Sequence, residues 1–439
     1  MLAYVDRFFN YVVDVMSNLS WTYLLDTYWY LFLIEVPRYY LLELVVVMWM
    51  GVVGRDRARD RRMAYYQLFK ENPLVSVLVP GKNEGSHIYK LACSLREQTY
   101  RNVETIIVDD GSDDNTPIIC RSLEKAGLIT RYLRLRERGG KAAASNYGAM
   151  YARGKYIINL DADSSLDRDA IEQILLPFYL DPLVKAVGGC VKVRNGRDSL
   201  CSSMQALEYL KRIQVGRTVT SRLGIYHIIS GAFGAFDRDV LRRVGYWDIG
   251  PGLDGDLTQK IRKAGFKVKF ATRAVCMTSV PVKWYKLYHQ RIRWSRSLVR
   301  FRIRKHRDIL LPHRHFSILN WLSNFENILY DCVFNYLWAF YMLDLILSNT
   351  GSIVELFVVG FFLRFALAHI GFLLILLVSE RHTSELYLYK YLPLMSLYTG
   401  FFLRMARLSA HTQELLFRRS YKDSWNPAKT SRYAELEHI

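Results

Sequence analysis

Cysteine is scarce in this sequence of 439 residues, which has six scattered cysteines and no CxxC pair. That distribution excludes a disulfide scaffold and constrains the redox compartment only weakly. Acidic residues are also few, because 41 Asp and Glu stand against 60 Lys and Arg, which gives a net charge of +19. The first residues have neither the basic segment nor the small-residue cleavage site of a secretory signal, so we expect none.

Hydrophobic residues, in contrast, make up 51% of the chain. This content excludes a disordered protein, because disordered chains have too few apolar residues to form a core. The mean hydropathy is nevertheless near zero, which indicates that apolar and charged residues are segregated along the sequence. At roughly 100 to 200 residues per domain, the length allows two or three structural units.

The N-terminal part, residues 1–62, reads as a membrane region of one or two helices. Residues 28–53 are long and apolar enough to cross a bilayer, although Glu35 and Pro37 interrupt them. A basic run follows at 55–62 and predicts that the next segment faces the cytosol. The alternative is a buried core helix followed by a solvated charge run.

The C-terminal part contains three apolar stretches, at residues 332–348, 353–379 and 387–403. They predict transmembrane helices within 331–410, preceded by interfacial helices at 301–330. The tail, residues 411–439, is basic and is expected in the cytosol. Three spans would leave that tail outside, so we expect that one stretch is re-entrant or interfacial, or that residues 316–330 join an additional span.

Residues 72–300 have the pattern of an α/β domain. β-branched runs at 74–80, 103–109 and 156–160 alternate with helical patterns at 86–98, 116–126 and 142–152. Such alternation predicts βαβ units around a buried parallel sheet, whose ligands bind at the carboxyl ends of the strands.

Acidic side chains follow each of the three predicted strands. Glu84 comes after the first strand, Asp110 after the second, and Asp161 and Asp163 after the third. These carboxylates would repel one another unless a cation joins them, and Mg²⁺ or Mn²⁺ carrying a diphosphate fits their hard oxygen ligands. An isolated DxD is more often a solvated turn. Gly139, Gly140 and Lys141 open the helix predicted at 142–152, before the third strand, and suit an anion site or a simple glycine turn.

The ordered motifs VPGKNE at 79–84, VDDGS at 108–112, GKAAASN at 140–146 and DAD at 161–163 resemble the nucleotide-sugar half of family 2 glycosyltransferases. Further on, ISGAFGAF at 229–236, DGDL at 254–257 and QRIRW at 290–294 resemble the acceptor half. The last of these is similar to the Q-x-x-R-W signature of processive membrane synthases, the group of the cellulose, chitin, hyaluronan and poly-N-acetylglucosamine synthases.

The resemblance implies a cytosolic GT-A domain inserted between N-terminal and C-terminal membrane or interfacial helices. It also implies that Asp254 is the catalytic base, although Asp256 remains open because the usual acidic residue before the base is missing. Asp163 would hold the metal. The residues expected around the nucleotide-sugar are Glu84, Asp110, Lys141, Asp161, Gln290 and Arg293.

Two tryptophans are expected to contact the acceptor. Trp294 would form a platform under the terminal sugar, because a flat indole binds the apolar face of a pyranose. Trp425 stands where a gating loop over the active site is expected, within the cytosolic tail. Lys82 departs from the pattern, because an aromatic residue is common at that position.

The function implied is a processive, inverting synthase that extends a β-linked polysaccharide from a UDP-sugar and extrudes it through its own helices. UDP-N-acetylglucosamine or UDP-glucose is the expected donor, with Mg²⁺ or Mn²⁺ as cofactor. The other expected partners are the growing polysaccharide, the bilayer of the cell membrane, crossed several times, and a small accessory subunit.

Two other functions fit parts of the sequence. A non-processive transferase could act on a lipid-linked sugar, but the QRIRW motif and the several apolar stretches disfavour it. A basic membrane-associated protein could bind lipid headgroups or nucleic acid through the net positive charge. The carboxylates at the strand ends disfavour that reading, because without metal they repel phosphate, and we expect no nucleic-acid partner.

Overall fold

The computed structural model describes residues 2–17, 19–53, 57–248, 252–311, 316–348, 353–422 and 427–436. These residues form one mixed β-sheet covered by helices, with further helical segments before and after it. The strands are β1 (Val75–Gly81), β2 (Val103–Asp109), β3 (Arg131–Arg134), β4 (Tyr156–Leu160), β5 (Ser165–Leu166), β6 (Val184–Val193), β7 (Phe233–Asp237) and β8 (Lys267–Thr278).

The α-helices before the sheet are α1 (Leu2–Ser17), α2 (Trp21–Thr27), α3 (Leu42–Val53) and α4 (Arg57–Glu71). Those between and after the strands are α5 (Gly85–Arg96), α6 (Thr116–Lys125), α7 (Lys141–Tyr151), α8 (Ala170–Leu180), α9 (Leu200–Glu208), α10 (Arg217–Arg222), α11 (Arg238–Arg243), α12 (Leu253–Lys263) and α13 (Trp284–Ser297). The C-terminal helices are α14 (Ile318–Ile328), α15 (Phe334–Ser348), α16 (Ile353–Val378), α17 (His382–Glu385), α18 (Leu392–Leu397), α19 (Leu403–Phe417) and α20 (Ala428–Leu436).

Several of these helices are joined or extended by short helical segments of other types. Turns of π-helix occur at Leu31–Glu35, Pro37–Leu41, Tyr209–Gly216, Leu298–Lys305, Leu329–Val333 and Tyr398–Phe402, and 3₁₀ turns occur at Arg307–Leu310, Leu386–Tyr391 and Arg419–Lys422. Residues 29–53, 318–348 and 392–417 are therefore each one unbroken helical run.

The first half of the sheet is parallel and agrees with the sequence. The strand order is β3-β2-β1-β4-β7-β6-β8-β5, in which β1 pairs in parallel with both β2 and β4. The strands predicted at 74–80, 103–109 and 156–160 are confirmed within one residue, and the three helices predicted between them within two. Their side chains are almost wholly buried because helices cover both faces of the sheet.

The second half of the sheet reverses direction. β7 is antiparallel to β4 and to β6, whereas β6 and β8 are parallel to each other. β7 therefore places residues 229–232, which precede it, beside the carboxyl end of β4. This reversal brings the residues of the acceptor half to the same edge of the sheet as Asp161 and Asp163.

Three helical runs outside the sheet pack side by side. The run at 29–53 lies parallel to α16, because Tyr28 donates to the Leu356 carbonyl (2.8 Å) and Arg364 pairs with Glu35 (2.8 Å). It is antiparallel to the run at 318–348, where Arg38 pairs with Glu326 at 2.5 Å. Among the described residues, α16 is the one helix both long and apolar enough to cross a membrane.

The end of α16 lies against the sheet. Lys192 on β6 pairs with Glu385 at 2.6 Å, and both side chains are buried. The Arg197 guanidinium lies over the Tyr387 ring (4.4 Å). The loop after α16 is thus fixed to the sheet.

The helical run at 392–417 lies alongside α13 in the same direction. Trp284 packs on Tyr398 with ring centroids 5.9 Å apart, and Arg296 bonds Gln413 further along. Near its end, Arg304 pairs with Glu414 at 2.8 Å. This run therefore contacts α13, or the segment that continues α13, along most of its length. The boundary predicted at residue 330, by contrast, falls inside an unbroken helix, because the π-helical turn at Leu329–Val333 continues α14 into α15.

Candidate active site

The acidic residues that follow the strands lie at one edge of the sheet. The register pairs Gly81 of β1 with Asp109 of β2, and Leu78 of β1 with Asn159 of β4, so the three strands end close together. A Cβ at Gly81 would stand 2.9 Å from Glu84 Cγ and 3.4 Å from Ala162 Cβ. Glycine at this position therefore leaves room for Glu84 beside the DAD segment, as the sequence predicts.

The electrostatics of this edge indicate an excess of negative charge. Burial, followed by the charges of Asp163 and Asp161, raises the pKa of Glu84 to about 7. Burial and the neighbouring Asp161 likewise raise the pKa of Asp163 above its usual range. Among the described residues no three His, Cys, Asp or Glu side chains form a ready-made metal cluster. The oxygen donors and the uncompensated charge nevertheless fit a divalent cation that takes its remaining ligands from a diphosphate.

Lys141, at the start of α7, is the cation that touches this group. Its Nζ lies 2.5 Å from Asp161 Oδ1 and 3.4 Å from the Gly231 carbonyl oxygen. Burial opposes the charge on this lysine, but Asp161 and Asp254 outweigh it, so the pKa of Lys141 is raised. The structure thus places Lys141 between the DAD segment and the acceptor half.

Asp110 occupies the N-terminus of α7. Its carboxylate accepts hydrogen bonds from the backbone N–H groups of Gly139 (2.6 Å) and Gly140 (2.9 Å). The anion site expected at this glycine turn is therefore filled by a carboxylate of the chain itself. Burial is the largest influence on Asp110 and raises its pKa, although the two N–H groups act in the opposite direction.

Asp254 lies in the first turn of α12, partly exposed to the same crevice. The helix begins after Gly252, whose φ of +81° is in the left-handed region that favours glycine. A Cβ at Gly231 would stand 2.4 Å from Asp254 Oδ2, so only glycine allows this carboxylate its position. Burial raises the pKa of Asp254, Lys141 opposes the shift, and Asp161 adds to it.

Asp256, two residues further on, has a different environment. It is fully buried, and its carboxylate bonds His306 Nε2 at 2.7 Å and Lys305 Nζ at 3.0 Å. Burial disfavours its charge, but the bonds to these two residues outweigh burial and lower its pKa to about 2. Asp256 therefore ties α12 to the segment after α13 and does not face the crevice.

The QRIRW motif lies on α13. Trp294 is 44% exposed, and the Arg291 guanidinium lies 4.6 Å from its ring centroid. Arg291 is itself held by Glu208 at 2.8 Å. Gln290 and Arg293 are half-buried on the same helix, and Gln290 Oε1 has no hydrogen-bond partner among the described residues. Trp425 lies outside the described residues.

A cavity of about 440 Å³ continues from this point. At one end it is lined by Gly255 of α12 and Trp294 of α13. At the other end it reaches Glu35, Arg364 and Arg404 among the packed helical runs. The space beside the predicted base therefore opens toward the helices that flank the domain.

Two residues that the sequence did not single out position the candidate side chains. Gly231 approaches Asp254 closely, and its carbonyl also accepts from Asn159 Nδ2 at 3.0 Å. Arg291 supports Trp294, with its guanidinium over the indole ring. Gly231 was a usable signal in the sequence, because a glycine beside a strand often marks a position where another group approaches the backbone closely. Nothing in the sequence distinguishes Arg291 from the other arginines of α13.

The comparisons with known proteins agree with this geometry. Residues 76–245 match the family described as Glycosyl transferase family 2. Two curated relatives are poly-beta-1,6-N-acetyl-D-glucosamine synthases. The one from Staphylococcus epidermidis is 31% identical over 247 residues, which are 53% of this chain and 60% of the relative. The one from Staphylococcus aureus strain COL is 32% identical over 223 residues, which are 50% of this chain and 53% of the relative. The chain thus spans little more than half the length of these relatives.

A solved structure extends the similarity of fold. The mannosyltransferase of Pyrobaculum calidifontis, solved in complex with GDP-Man and Mn²⁺, superposes with a TM-score of 0.56 at 21% identity, covering 85% of this chain and 99% of the mannosyltransferase chain. At this identity the likeness concerns the fold.

The sheet, with its parallel half, antiparallel β7 and acidic strand ends, is that of a glycosyltransferase domain of the GT-A type. Residues 76–245 thus match glycosyl transferase family 2, and the chain is similar to poly-N-acetylglucosamine synthases over about half of its length. The resemblance and the enzyme class predicted from the motifs are confirmed.

The contrast between Asp254 and Asp256 gives a test of stability. Asp256→Asn leaves Lys305 and His306 without their carboxylate and should destabilise the protein by about 3 kcal/mol. Because the folded-state pKa of Asp256 is about 2, below the unfolded value of about 4, its stabilising effect is present above pH 4 and lost toward pH 2. Asp254→Asn is the matched control and should cost little, because burial already disfavours that charge.

The measurement is thermal unfolding of the full chain in detergent at neutral pH. We expect a lowered melting temperature for Asp256→Asn and a nearly unchanged one for Asp254→Asn. Equal losses in both variants would contradict the difference in environment.

Proposed function

We propose that the protein is a processive membrane polysaccharide synthase that transfers a sugar from a UDP-sugar to the end of a growing β-linked polymer. The observation that carries this proposal is the cavity of about 440 Å³ that is lined by Trp294 and by Gly255, the residue next to Asp254 in the chain, and that continues between the flanking helices. A polymer end that reaches Asp254 needs a path of this kind. The names of the curated relatives, poly-beta-1,6-N-acetyl-D-glucosamine synthases, favour UDP-N-acetylglucosamine as the first donor to test, and UDP-glucose as the second.

The donor would lie along the edge formed by β1, β2 and β4. Asp110 would contact the uridine end, and Glu84, Lys141 and Asp161 would surround the diphosphate. Asp163 would hold Mg²⁺ or Mn²⁺ there, and the metal would supply positive charge for the leaving diphosphate. Lys141 adds a second cation, 2.5 Å from Asp161 and able to reach phosphate oxygens. Gln290 and Arg293 on α13 would contact the diphosphate from the acceptor side.

Asp254 is the residue we assign as the base. An inverting transfer requires a carboxylate that removes the proton of the acceptor hydroxyl while its oxygen attacks the anomeric carbon and the bond to the UDP oxygen breaks. Asp254 faces the crevice beside Lys141 and Gly231, whereas Asp256 is fully buried in ion pairs. Trp294 would support the terminal sugar, and Trp425 would reach the site from the tail.

The helix packing supports a membrane topology for this enzyme. The runs at 29–53, 318–348 and 353–378 would cross the bilayer of the cell membrane, with the catalytic domain in the cytosol. The run at 392–417 contacts α13 and its continuation through Tyr398 and Glu414, and Phe401 also packs against Phe357 near the start of α16. It would therefore enter the membrane from the cytosolic side without crossing it. Two C-terminal crossings then return the chain to the cytosol and leave the basic tail inside, which agrees with the positive-inside rule.

The experiment that tests the function uses the full chain in membranes. Given UDP-sugars and Mn²⁺ or Mg²⁺, it should release UDP and accumulate polymer, and chelation of the metal should stop both. Products are sized and digested with linkage-specific glycosidases. One sugar added per acceptor would favour the non-processive transferase acting on a lipid-linked sugar, and no UDP release with any UDP-sugar would exclude the proposed donor class.

Asp254→Asn should lower the transfer rate by about 100-fold or more, because general-base catalysis contributes at least that factor. Binding of the UDP-sugar should be retained, since the variant keeps the shape of the site. Sugar transfer is measured by UDP release, and donor binding by calorimetry. Asp239→Asn, on the exposed surface of α11, is the control. A fully active Asp254→Asn enzyme would contradict the assignment.

The topology can be tested by single cysteines on exposed residues at the two ends of the C-terminal hairpin. Ser348→Cys, at the end of α15, should react with a membrane-impermeant maleimide added to intact cells. Ser384→Cys, after α16, should react only after permeabilisation. Five native cysteines are buried, so a Cys93→Ala background suffices. Labelling of both positions from the same side would contradict the hairpin.

A further inference from the structure

A row of polar side chains lines the cavity of about 440 Å³ between Trp294 and the flanking helical runs. At its start, the Arg291 guanidinium lies 4.6 Å from the Trp294 ring centroid and pairs with Glu208 at 2.8 Å. Arg212 follows Glu208 on the same unbroken helical stretch and stands between that carboxylate and Asp331. The row thus leads from the predicted acceptor platform to a helix that flanks the domain.

The two carboxylates beside Arg212 have shorter bonds to other partners. Glu208 accepts a hydrogen bond from the Tyr398 hydroxyl at 2.6 Å, in addition to its ion pair within the row. Asp331 accepts one from Arg407 at 2.7 Å. Both carboxylates are therefore fixed without Arg212, and their positions do not explain why an arginine stands between them.

Arg212 has a balanced charge but free hydrogen-bond donors. Its guanidinium nitrogens lie 3.8 Å from Glu208 Oε1 and 3.6 Å from Asp331 Oδ1, which is beyond hydrogen-bond distance. A guanidinium carries five N–H donors, and none of them forms a hydrogen bond with a residue that the structure describes. The side chain is nevertheless 50% exposed and lines the cavity. Its donors are therefore available to a molecule in the cavity.

The helical backbone is irregular at Arg212 and at Asp331. Arg212 lies in the π-helical turn Tyr209–Gly216, and Asp331 lies in the π-helical turn Leu329–Val333. Turns of this type are rare inside α-helices and occur frequently at functional sites. Asp331 also belongs to a run that would cross the bilayer, and charged residues in such runs commonly mark a substrate path. The backbone thus supports a ligand site between these two residues.

We infer that Arg212 forms an acceptor subsite, which binds the sugar that follows the terminal one in the growing polymer. The inference rests on the proposed function, because it concerns the polymer that occupies the cavity. The ligand is an uncharged sugar, since two carboxylates already balance the charge of Arg212 while its N–H groups can donate to hydroxyl or acetamido oxygens. Hydrogen bonds from a charged donor are stronger than those between neutral groups. Trp294 would support the terminal sugar, and Arg212 would hold the next one along the path.

The experiment measures how sugar transfer depends on acceptor length, with the full chain in lipid nanodiscs. The donor is UDP-N-acetylglucosamine or, second, UDP-glucose, and the acceptors are the matching monosaccharide and its neutral β-linked di-, tri- and tetrasaccharides. A monosaccharide reaches only the position at Trp294, whereas a longer acceptor also reaches Arg212. We expect kcat/KM for the tetrasaccharide to exceed that for the monosaccharide by at least about tenfold, the factor that one hydrogen bond to a charged group supplies. Equal values of kcat/KM at every length in the wild type would overturn the inference.

Arg212→Gln should bring the ratio of these two kcat/KM values close to one, because a neutral amide does not replace the charged, planar fork. Arg212→Lys keeps a cation between the two carboxylates and should lower the ratio by less. Arg242→Gln, on the exposed surface of α11, is the matched control and should keep the wild-type ratio.

A purely structural role for Arg212 would give a different result. It would lower kcat/KM equally for acceptors of every length and keep the wild-type ratio in Arg212→Gln, and that outcome would overturn the inference. If Arg212→Gln does not fold, Arg212→Lys decides the matter, because it retains the ion pairs. An unchanged ratio in Arg212→Lys would then contradict the subsite.

Failure of the inference and failure of the proposed function give different results. If UDP is released and polymer accumulates but acceptor length has no effect, the synthase function stands and the subsite is wrong. If no UDP-sugar is consumed with any acceptor, the proposed function itself fails.

Discussion

The contact between Lys141 and Asp161 is the interaction on which the rest of the active site depends. Three parallel strands end in carboxylates at one edge, and Lys141 is the cation that lies in direct contact with this group. Without Lys141 the repulsion among Asp161, Asp163 and Asp254 would be larger, because burial strengthens like-charge repulsion. Even with it, the pKa values of Glu84 and Asp163 are raised. The site is thus prepared for a further cation and for the anionic diphosphate that a cation carries.

Two aspartates on one helix show how the environment, and not the residue type, decides a role. Asp254 and Asp256 are two residues apart, and on an α-helix such residues point in nearly opposite directions. Asp254 therefore faces the crevice, where burial raises its pKa, and Asp256 faces Lys305 and His306, which lower it to about 2. One of them suits proton abstraction, and the other fixes α12 in place.

The sequence predicted the first half of the fold well, because β1, β2 and β4 are continuous buried β-branched runs and each is followed by an acidic residue. It did not predict β7, whose FGAFD segment has neither strong alternation nor β-branched residues, and whose pairing with β4 joins residues far apart in sequence. Periodicity also missed the course of residues 392–417, since packing against α13 determines it. The partners of Asp256 are likewise a tertiary property that no local pattern encodes.

The net charge of +19 is not uniformly distributed around the reaction centre. On the donor side of Asp254 the carboxylates of Glu84 and Asp163 have raised pKa values, which indicates negative charge in excess. In the cavity, by contrast, each lining carboxylate is paired with an arginine or a lysine, for example Glu35 with Arg364 at 2.8 Å. A cation that carries a diphosphate would therefore supply the charge that the donor side lacks, and the cavity needs no such addition for its carboxylates.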